Sequence, residues 1–520
     1  MMRANTWKAR LPLLLVFLIT VGIRLYWINH KEGLNVDEGL SITLAASNKY
    51  MLWNENYESG RTYTGKELKA ISLWDNGSLR NAIGDIYRLH LNNNGDTPHT
   101  SLYYSCLRLW FAGRTTSDYR EIILFGTVLN LLFFTVSFVA MYQLLKLLFD
   151  GNSVILAGLL LCFLNTGSIS NTLVLRPYQL QETALIVAAY CCTLYHRKIL
   201  DGVPFDTWRD LVLLSSAGAF TLLSGYFSII YYALLGCLIV SALIQRGRLN
   251  RIGFFVAVVV FSVGLAQTAY TNYLDGMILG SRSTEALSVL SSNEVGSRFV
   301  ESLATFLSIS GAYIFYWPLD LCLVAALLIA IIPQTVKRFT PVSKHEPAAQ
   351  LVALFLVISA VIYCLTALYL APYKMLRYIM PAFPIMAMAN AIILSRLKPK
   401  PAVAFACIIV AVCFFYALHT SHVENLSLEK PEVFSFTSKP EIPVLILNKN
   451  YWKYADMIPY LADSQRYEFP RNEEELEERI AELPHVFVVL DREAYPQIRT
   501  RRTYSFQGPM NYFDLYEVKN

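Results

Sequence analysis

Two adjacent carboxylates, Asp37 and Glu38, stand in the run Asn35-Val36-Asp37-Glu38-Gly39, just after the first hydrophobic segment. A carboxylate at a membrane–water boundary can take a proton from a hydroxyl, so Asp37 is a candidate general base with Glu38 beside it. On spacing alone the same residues read first as a helix start. Asn35 is a good N-cap, and acids in a first turn are favoured by the helix dipole.

Three other groups return to the same boundary. In Asp96-Thr97-Pro98-His99, ahead of Leu102-Tyr103-Tyr104, Asp96 offers a second carboxylate, while His99 and Tyr103 would line a substrate cavity. The plainer reading is a turn entering an interfacial helix. In Leu175-Arg176-Pro177-Tyr178-Gln179, the planar guanidinium of Arg176 suits two oxygens of a lipid phosphate, with Tyr178 beside it. Snorkelling to headgroups would place an Arg there as well. In Tyr373-Lys374-Met375-Leu376-Arg377-Tyr378, Lys374 and Arg377 sit where topology disfavours cations, which points to anion binding. Tyr226, after Ser224-Gly225, faces the same side or belongs to an aromatic belt. Carboxylates that deprotonate an acceptor, opposite cations that hold a departing phosphate, make a transfer chemistry.

What must hold these residues is a membrane scaffold. Of 520 residues, 55% are hydrophobic and only 16% charged, against about a quarter charged in soluble chains. Before Ser421 there are 32 basic and 22 acidic residues; from Ser421 on there are 12 and 17. The basic excess lies in short loops between apolar runs, a positive-inside pattern and not a nucleic-acid footprint. Of nine Cys, only Cys106 falls outside an expected span, with no C-x-x-C pair, so neither a disulfide framework nor a thiolate metal site is expected.

Arg3, Lys8 and Arg10 precede the first apolar run with no small-x-small site after it, which predicts an uncleaved anchor with its N-terminus inside. Residues 29–120 form a long outer loop with helical pieces at 39–50 and 81–90. Spans are expected near 121–148, 153–168, 178–195, 211–224, 226–245, 252–270, 318–336, 349–370, 378–394 and 401–418. With the anchor this makes about eleven transmembrane helices. Residues 303–317 read as an interfacial segment. The charges collect at the span boundaries.

From 421 the composition becomes that of a small extramembrane α/β domain. Strands are expected at 444–447, 486–490 and 513–518, with helices over 451–461 and 473–483. The chain thus divides into a membrane domain, 1–420, carrying outer loop 29–120, and a cap, 421–520. No phosphate-binding glycine loop is present, which disfavours a nucleotide-sugar donor.

The anchor, the Asp-Glu pair opening the first outer loop, the Pro-containing segment ending Leu102-Tyr103-Tyr104, Arg176-Pro177-Tyr178 and Arg377-Tyr378-Ile379-Met380-Pro381 together resemble the GT-C membrane glycosyltransferases. The nearest type is the bacterial protein O-mannosyltransferase and aminoarabinose (lipid A) transferase, and the resemblance spans residues 10 to about 395. It implies sugar transfer from a polyprenyl monophosphate such as undecaprenyl phosphate, with inversion, on the periplasmic face of a bacterial inner membrane. Asp37 would be the base and Glu38 its support; Arg176, Tyr178, Lys374 and Arg377 would meet donor phosphate; Asp96, His99, Tyr103 and Tyr226 would line the acceptor side. The acceptor is left among protein, lipid A and polysaccharide. Some members bind a divalent metal and others do not, so the resemblance leaves the metal open, with Asp37 and Asp96 as its ligands if one binds. The family's His-Pro-Pro-Leu-Tyr-Tyr is altered here to Thr97-Pro98-His99-Thr100-Ser101-Leu102-Tyr103-Tyr104. Its His-Tyr pair is Gly225-Tyr226. A flippase or exporter of lipid-linked glycans is the alternative, and a scaffold whose cap recruits partners is a third.

Overall fold

The computed structural model describes residues 2–519 apart from 47–59, 74–76, 92–98, 115–118, 292–294, 315–345, 396–398, 427–438, 448–452 and the single positions 425, 454, 456, 499 and 511. Its helices, in order, are α1 (Met2–His30), α2 (Val36–Ala45), α3 (Gly65–Ser72), α4 (Leu79–Leu91), α5 (Leu102–Trp110), α6 (Tyr119–Leu148), α7 (Asn152–Phe163), α8 (Thr166–Leu173), α9 (Tyr178–Leu200) and α10 (Trp208–Ser224). There follow α11 (Ser228–Gln245), α12 (Ile252–Ala269), α13 (Tyr273–Leu279), α14 (Ser281–Leu290), α15 (Val295–Tyr313), α16 (Glu346–Leu370), α17 (Phe383–Ser395), α18 (Pro399–His419) and α19 (Glu473–Glu482). The strands are β1 (Tyr63–Thr64), β2 (Val444–Leu447), β3 (Arg466–Glu468), β4 (His485–Asp491), β5 (Thr503–Met510) and β6 (Phe513–Lys519). Contacts divide the chain into a unit of residues 1–29, 97–102 and 130–424 and a unit of residues 30–96, 103–129 and 425–520.

The first unit is helical. Within it α9 packs on α10 and α11, α10 on α12, α7 on α17 and α18, and α16 on α11, α15 and α17. Close approach there needs glycine: a Cβ at Gly167 of α8 would run into the ring of Phe383. Five described helices, among them α6, α11, α12 and stretches of α1 and α16, are long and apolar enough to cross a bilayer, and the chain is a multi-pass membrane protein. The span expected at 153–168 is instead two helices, α7 and α8, bent by 57°. Asn165 breaks it, because its side chain accepts from the Ser168 amide and caps α8. The span expected at 318–336 lies outside the described residues, and α15, which covers most of 303–317, is not among the candidate spans.

The second unit is built on one six-stranded sheet, in the order β1-β3-β2-β4-β6-β5. β2 runs parallel to β3 and β4; β6 is antiparallel to β4 and β5. Leu445, Leu447, Val486, Val488, Leu490 and Val518 form its core with Leu476 and Ile480 of α19. Three strands were not foreseen. β5 has exposed residues on both faces and so lacks a burial pattern, β3 is three residues long, and β1 comes from the polar stretch 29–120 and pairs with β3. The helix expected over 451–461 is, among its described residues, one 3₁₀ turn at Ile458–Tyr460 containing Pro459, whose missing N–H does not extend a helix.

Candidate functional site

In the second unit the acidic pair begins α2. Asn35 is the N-cap, accepting from the Glu38 amide at 3.0 Å, and Glu38 returns a carboxylate oxygen to the Asn35 amide at 2.9 Å, a complete capping box. Glu38 is also fully buried and ion-paired at 3.0 Å with Lys31, itself fully buried. A direct partner inside the protein offsets the cost of burying each charge. Glu38 is thereby committed to holding the start of α2, while Asp37, one residue earlier, is half-buried on the same first turn. Lys31 carried no signal in the pattern reading beyond its spacing of seven residues from Glu38.

The segment around α2 rests on the C-terminal part of its unit. Leu34 donates its amide to the Tyr460 hydroxyl at 2.8 Å, Glu32 donates to the Leu426 carbonyl at 2.9 Å, and Val36 and Leu40 pack with Ala455 and Tyr512. Lys453 anchors that wall through Asp491 at 2.8 Å and Glu493 at 2.7 Å. Burial pulls the pKa of the Lys453 ammonium down, but the two carboxylates outweigh it and leave the pKa raised. Tyr103, expected in a substrate cavity, is fully buried in α5 with its ring 6.2 Å from that of Tyr104. Beside it Arg108 is paired at 2.7 Å with Asp85 of α4.

In the first unit a cavity of about 410 Å³ gathers several of the foreseen residues. His99, Tyr178, Tyr226 and Arg377 line it with Gln181 and Tyr378, opposite apolar positions of α11, α13 and α14. Such a volume, mostly apolar with a few convergent polar groups, is the usual form of a ligand site. Arg176 adjoins it: its guanidinium lies 3.3 Å from His99 Nδ1, and the next two residues, Pro177 and Tyr178, are in the wall. Gln181 is fixed by Ser228 and the Tyr363 hydroxyl, each at 3.0 Å, and Tyr363 in turn donates to the Tyr378 carbonyl at 3.2 Å. Tyr226 lies close over Gly276, where a Cβ would strike its hydroxyl. The cavity wall thus combines Arg377 and hydrogen-bonding side chains with apolar positions, and a second cation, Arg176, adjoins it.

Lys374 does not line this cavity; it is ion-paired with Glu301 of α15. Asp96 lies outside the described residues. Among the described residues no three His, Cys, Asp or Glu side chains are grouped so as to hold a metal ion. The expectation that charges collect at span boundaries does not hold everywhere: Arg24 of α1 and Glu182 of α9 are fully buried inside the helical unit.

Comparison with solved structures places this architecture. ArnT from Cupriavidus metallidurans, solved bound to undecaprenyl phosphate, is similar over 97% of this chain and 97% of its own, with 12% identity and a TM-score of 0.51. The fold is of the GT-C type. The apo form of that ArnT matches at a TM-score of 0.47 with 11% identity, over 99% of this chain and 98% of its own. The oligosaccharyltransferase AglB from Archaeoglobus fulgidus, solved with an inhibitory peptide and a dolichol phosphate, matches at 0.46 with 12% identity, over 94% of this chain and 70% of that one. No protein-family model matches the sequence, and no curated protein does.

Proposed function

We propose that this chain is a glycosyltransferase that moves a sugar from a polyprenyl monophosphate to an acceptor hydroxyl on the periplasmic face of a bacterial inner membrane, with inversion at the anomeric carbon. The observation that carries the reading is the cavity of about 410 Å³, lined by Arg377 and His99 together with apolar positions, with Arg176 against His99. That pairing of cations with lipid-like surroundings suits a phosphate esterified to a prenol. The likeness in fold to ArnT, solved with undecaprenyl phosphate, supports the same ligand class.

In this reading Arg176 and Arg377 neutralise the phosphate as it leaves, with Tyr178 beside them, and Lys374, paired with Glu301 outside the cavity, is left out of that role. His99, Tyr226 and Asp96 attend the sugar and acceptor, while Tyr103 is fully buried in α5 and takes no part. Asp37 takes the proton from the acceptor hydroxyl as oxygen attacks the anomeric carbon, and Glu38, locked by Lys31, holds the turn on which Asp37 stands. The acceptor is a protein, lipid A or polysaccharide hydroxyl, and a divalent metal is a matter for chelation assays.

The test is turnover of a labelled polyprenyl-phosphate sugar by membranes carrying the full chain, with extracted native acceptors. Transfer of label with inverted configuration is the expected result. Movement of labelled lipid across sealed vesicles without cleavage would replace this reading with export.

A further inference from the structure

Beneath the Arg176 segment lies a closed polar ring that the function above does not use. Arg24 donates from Nη2 to Ser168 Oγ at 2.8 Å and from Nε to Thr172 Oγ1 at 3.0 Å. Thr172 Oγ1 donates to Gln179 Oε1 at 2.7 Å, and Gln179 Nε2 donates to Glu182 Oε1 at 2.9 Å. Asn171 Nδ2 reaches Glu182 Oε2 at 2.9 Å, and Ser168 completes the ring onto Glu182. All six side chains are fully buried. Three donors converging on Glu182 fit an acceptor-only carboxylate, with the Arg24 charge one hydroxyl away.

The ring sits on a break in the chain's helical path. Arg24 Nη1 also donates to the Phe163 carbonyl at 3.1 Å, the last residue of α7, so it satisfies backbone left open by the 57° bend. Thr172 is near the end of α8 and Gln179 is the second residue of α9, so their bond closes the loop 174–177, which carries Arg176. Asn130 Nδ2 holds the same loop from outside the ring through the Thr172 and Val174 carbonyls, at 3.2 and 2.7 Å. A buried charged pair on hydrocarbon-flanked helices is costly, and is retained where it fixes something that apolar packing does not.

We infer that Arg24 and Glu182 are positioning residues: through Ser168, Thr172 and Gln179 they staple the ends of the 174–177 loop and set the Arg176 guanidinium toward the anionic headgroup. This rests on the lipid-phosphate reading above, but the staple itself is a property of the loop. Glu182→Gln puts an amide donor where a carboxylate oxygen accepted, so one of the three donors loses its acceptor and Arg24 loses its counter-charge.

The test uses the full chain in nanodiscs. Glu182→Gln is expected to raise the Kd for a polyprenyl monophosphate roughly tenfold, since small misplacement of a binding group is costly. Amide exchange across 173–178 should quicken by more than across the rest of the helical unit, beyond the general loss expected from leaving Arg24 without its counter-charge. In an Arg176→Ala background the same substitution should cost no further affinity, because its effect passes through Arg176. An equal loss in both backgrounds, or unchanged exchange across 173–178, overturns the inference. Should Glu182→Gln fail to fold, Thr172→Val opens the staple without removing a charge, taking away one acceptor of Arg24, and must give the same exchange signature. If neither wild type nor Arg176→Ala binds the lipid, it is the function that fails, and the exchange measurement alone decides the staple.

Discussion

Each unit holds a fully buried cation–carboxylate system close to a proposed site residue, and the two are built differently. In the sheet-based unit Lys31 touches Glu38 directly at 3.0 Å, seven residues apart, and Glu38 doubles as the capping-box acid of α2. In the helical unit Arg24 and Glu182 are 158 positions apart and are linked through Ser168 and through Thr172 with Gln179, while Asn171 adds a third donor to Glu182. The first is a local device that fixes one turn; the second is a distributed one that fixes a loop between two helices. On the proposed function the first supports a proton acceptor and the second supports a phosphate grip, so chemistry and binding are held by separate polar systems.

The largest expected effect separates the two roles. Asp37→Asn should lower the rate of sugar transfer by about 10³-fold, as for loss of a general base, while leaving donor affinity intact in an equilibrium binding assay. Lys31→Met tests the local device. It leaves Glu38 buried without its counter-charge and should cost about 3–5 kcal/mol of stability, read as an earlier loss of structure around α2 in amide exchange. The double substitution Lys31→Met with Glu38→Gln should recover part of that loss; no recovery would mean the pair is not coupled.

Arg176→Ala should act in the opposite sense to Asp37→Asn. Roughly 10²-fold is expected in kcat/KM, accompanied by weaker equilibrium binding of donor, because the group contacts the phosphate both in the bound donor and as it leaves. Equal losses in kcat for the two variants would erase the division of labour.

Smaller effects probe the edge of the sheet. Thr64, the last residue of β1, caps α3 in a box with Glu67, and Thr64→Ala should cost about 1 kcal/mol in local stability. The hydrogen bond from the Thr64 amide, followed by that from its hydroxyl, holds the Glu67 carboxyl below its usual 4.5. A depressed carboxylate stabilises above its ordinary pKa and ceases to as pH falls through the lowered value. α3 should therefore fray first on acidification below pH 4.5, and Glu67→Gln should remove that dependence, as followed by NMR of the Gly65–Ser72 amides.

How much of this was legible depends on how far apart the partners are in the chain. The capping reading of Asn35 and Glu38 follows from a spacing of three and is what the structure holds. The strands at 444–447 and 486–490 announce themselves as short apolar runs, and both lie in the core. Around the cavity, His99, Tyr178, Tyr226 and Arg377 were found by their places at boundaries, because hydropathy marks where helices end. What stayed hidden needs partners that pattern does not connect. Glu182 looks like one charge near a helix start until α8 folds under it, and the start of α8 falls at the end of the span expected at 153–168, though Asn165-Thr166-Gly167-Ser168 is the polar interruption that marks the bend. β1 is two residues long and is a strand only because β3, some 400 residues later, offers it an edge. Pro459 was the available signal against a helix at 451–461.

The most direct measurement is transfer from a labelled polyprenyl-monophosphate sugar by membranes carrying wild type or Asp37→Asn, with protein level and donor binding checked in both. The account predicts turnover by wild type, and by the variant a rate lower by about three orders of magnitude with donor still bound. Turnover by the variant at the wild-type rate would contradict the assignment of the base, and no donor cleavage by either protein would contradict the transferase itself.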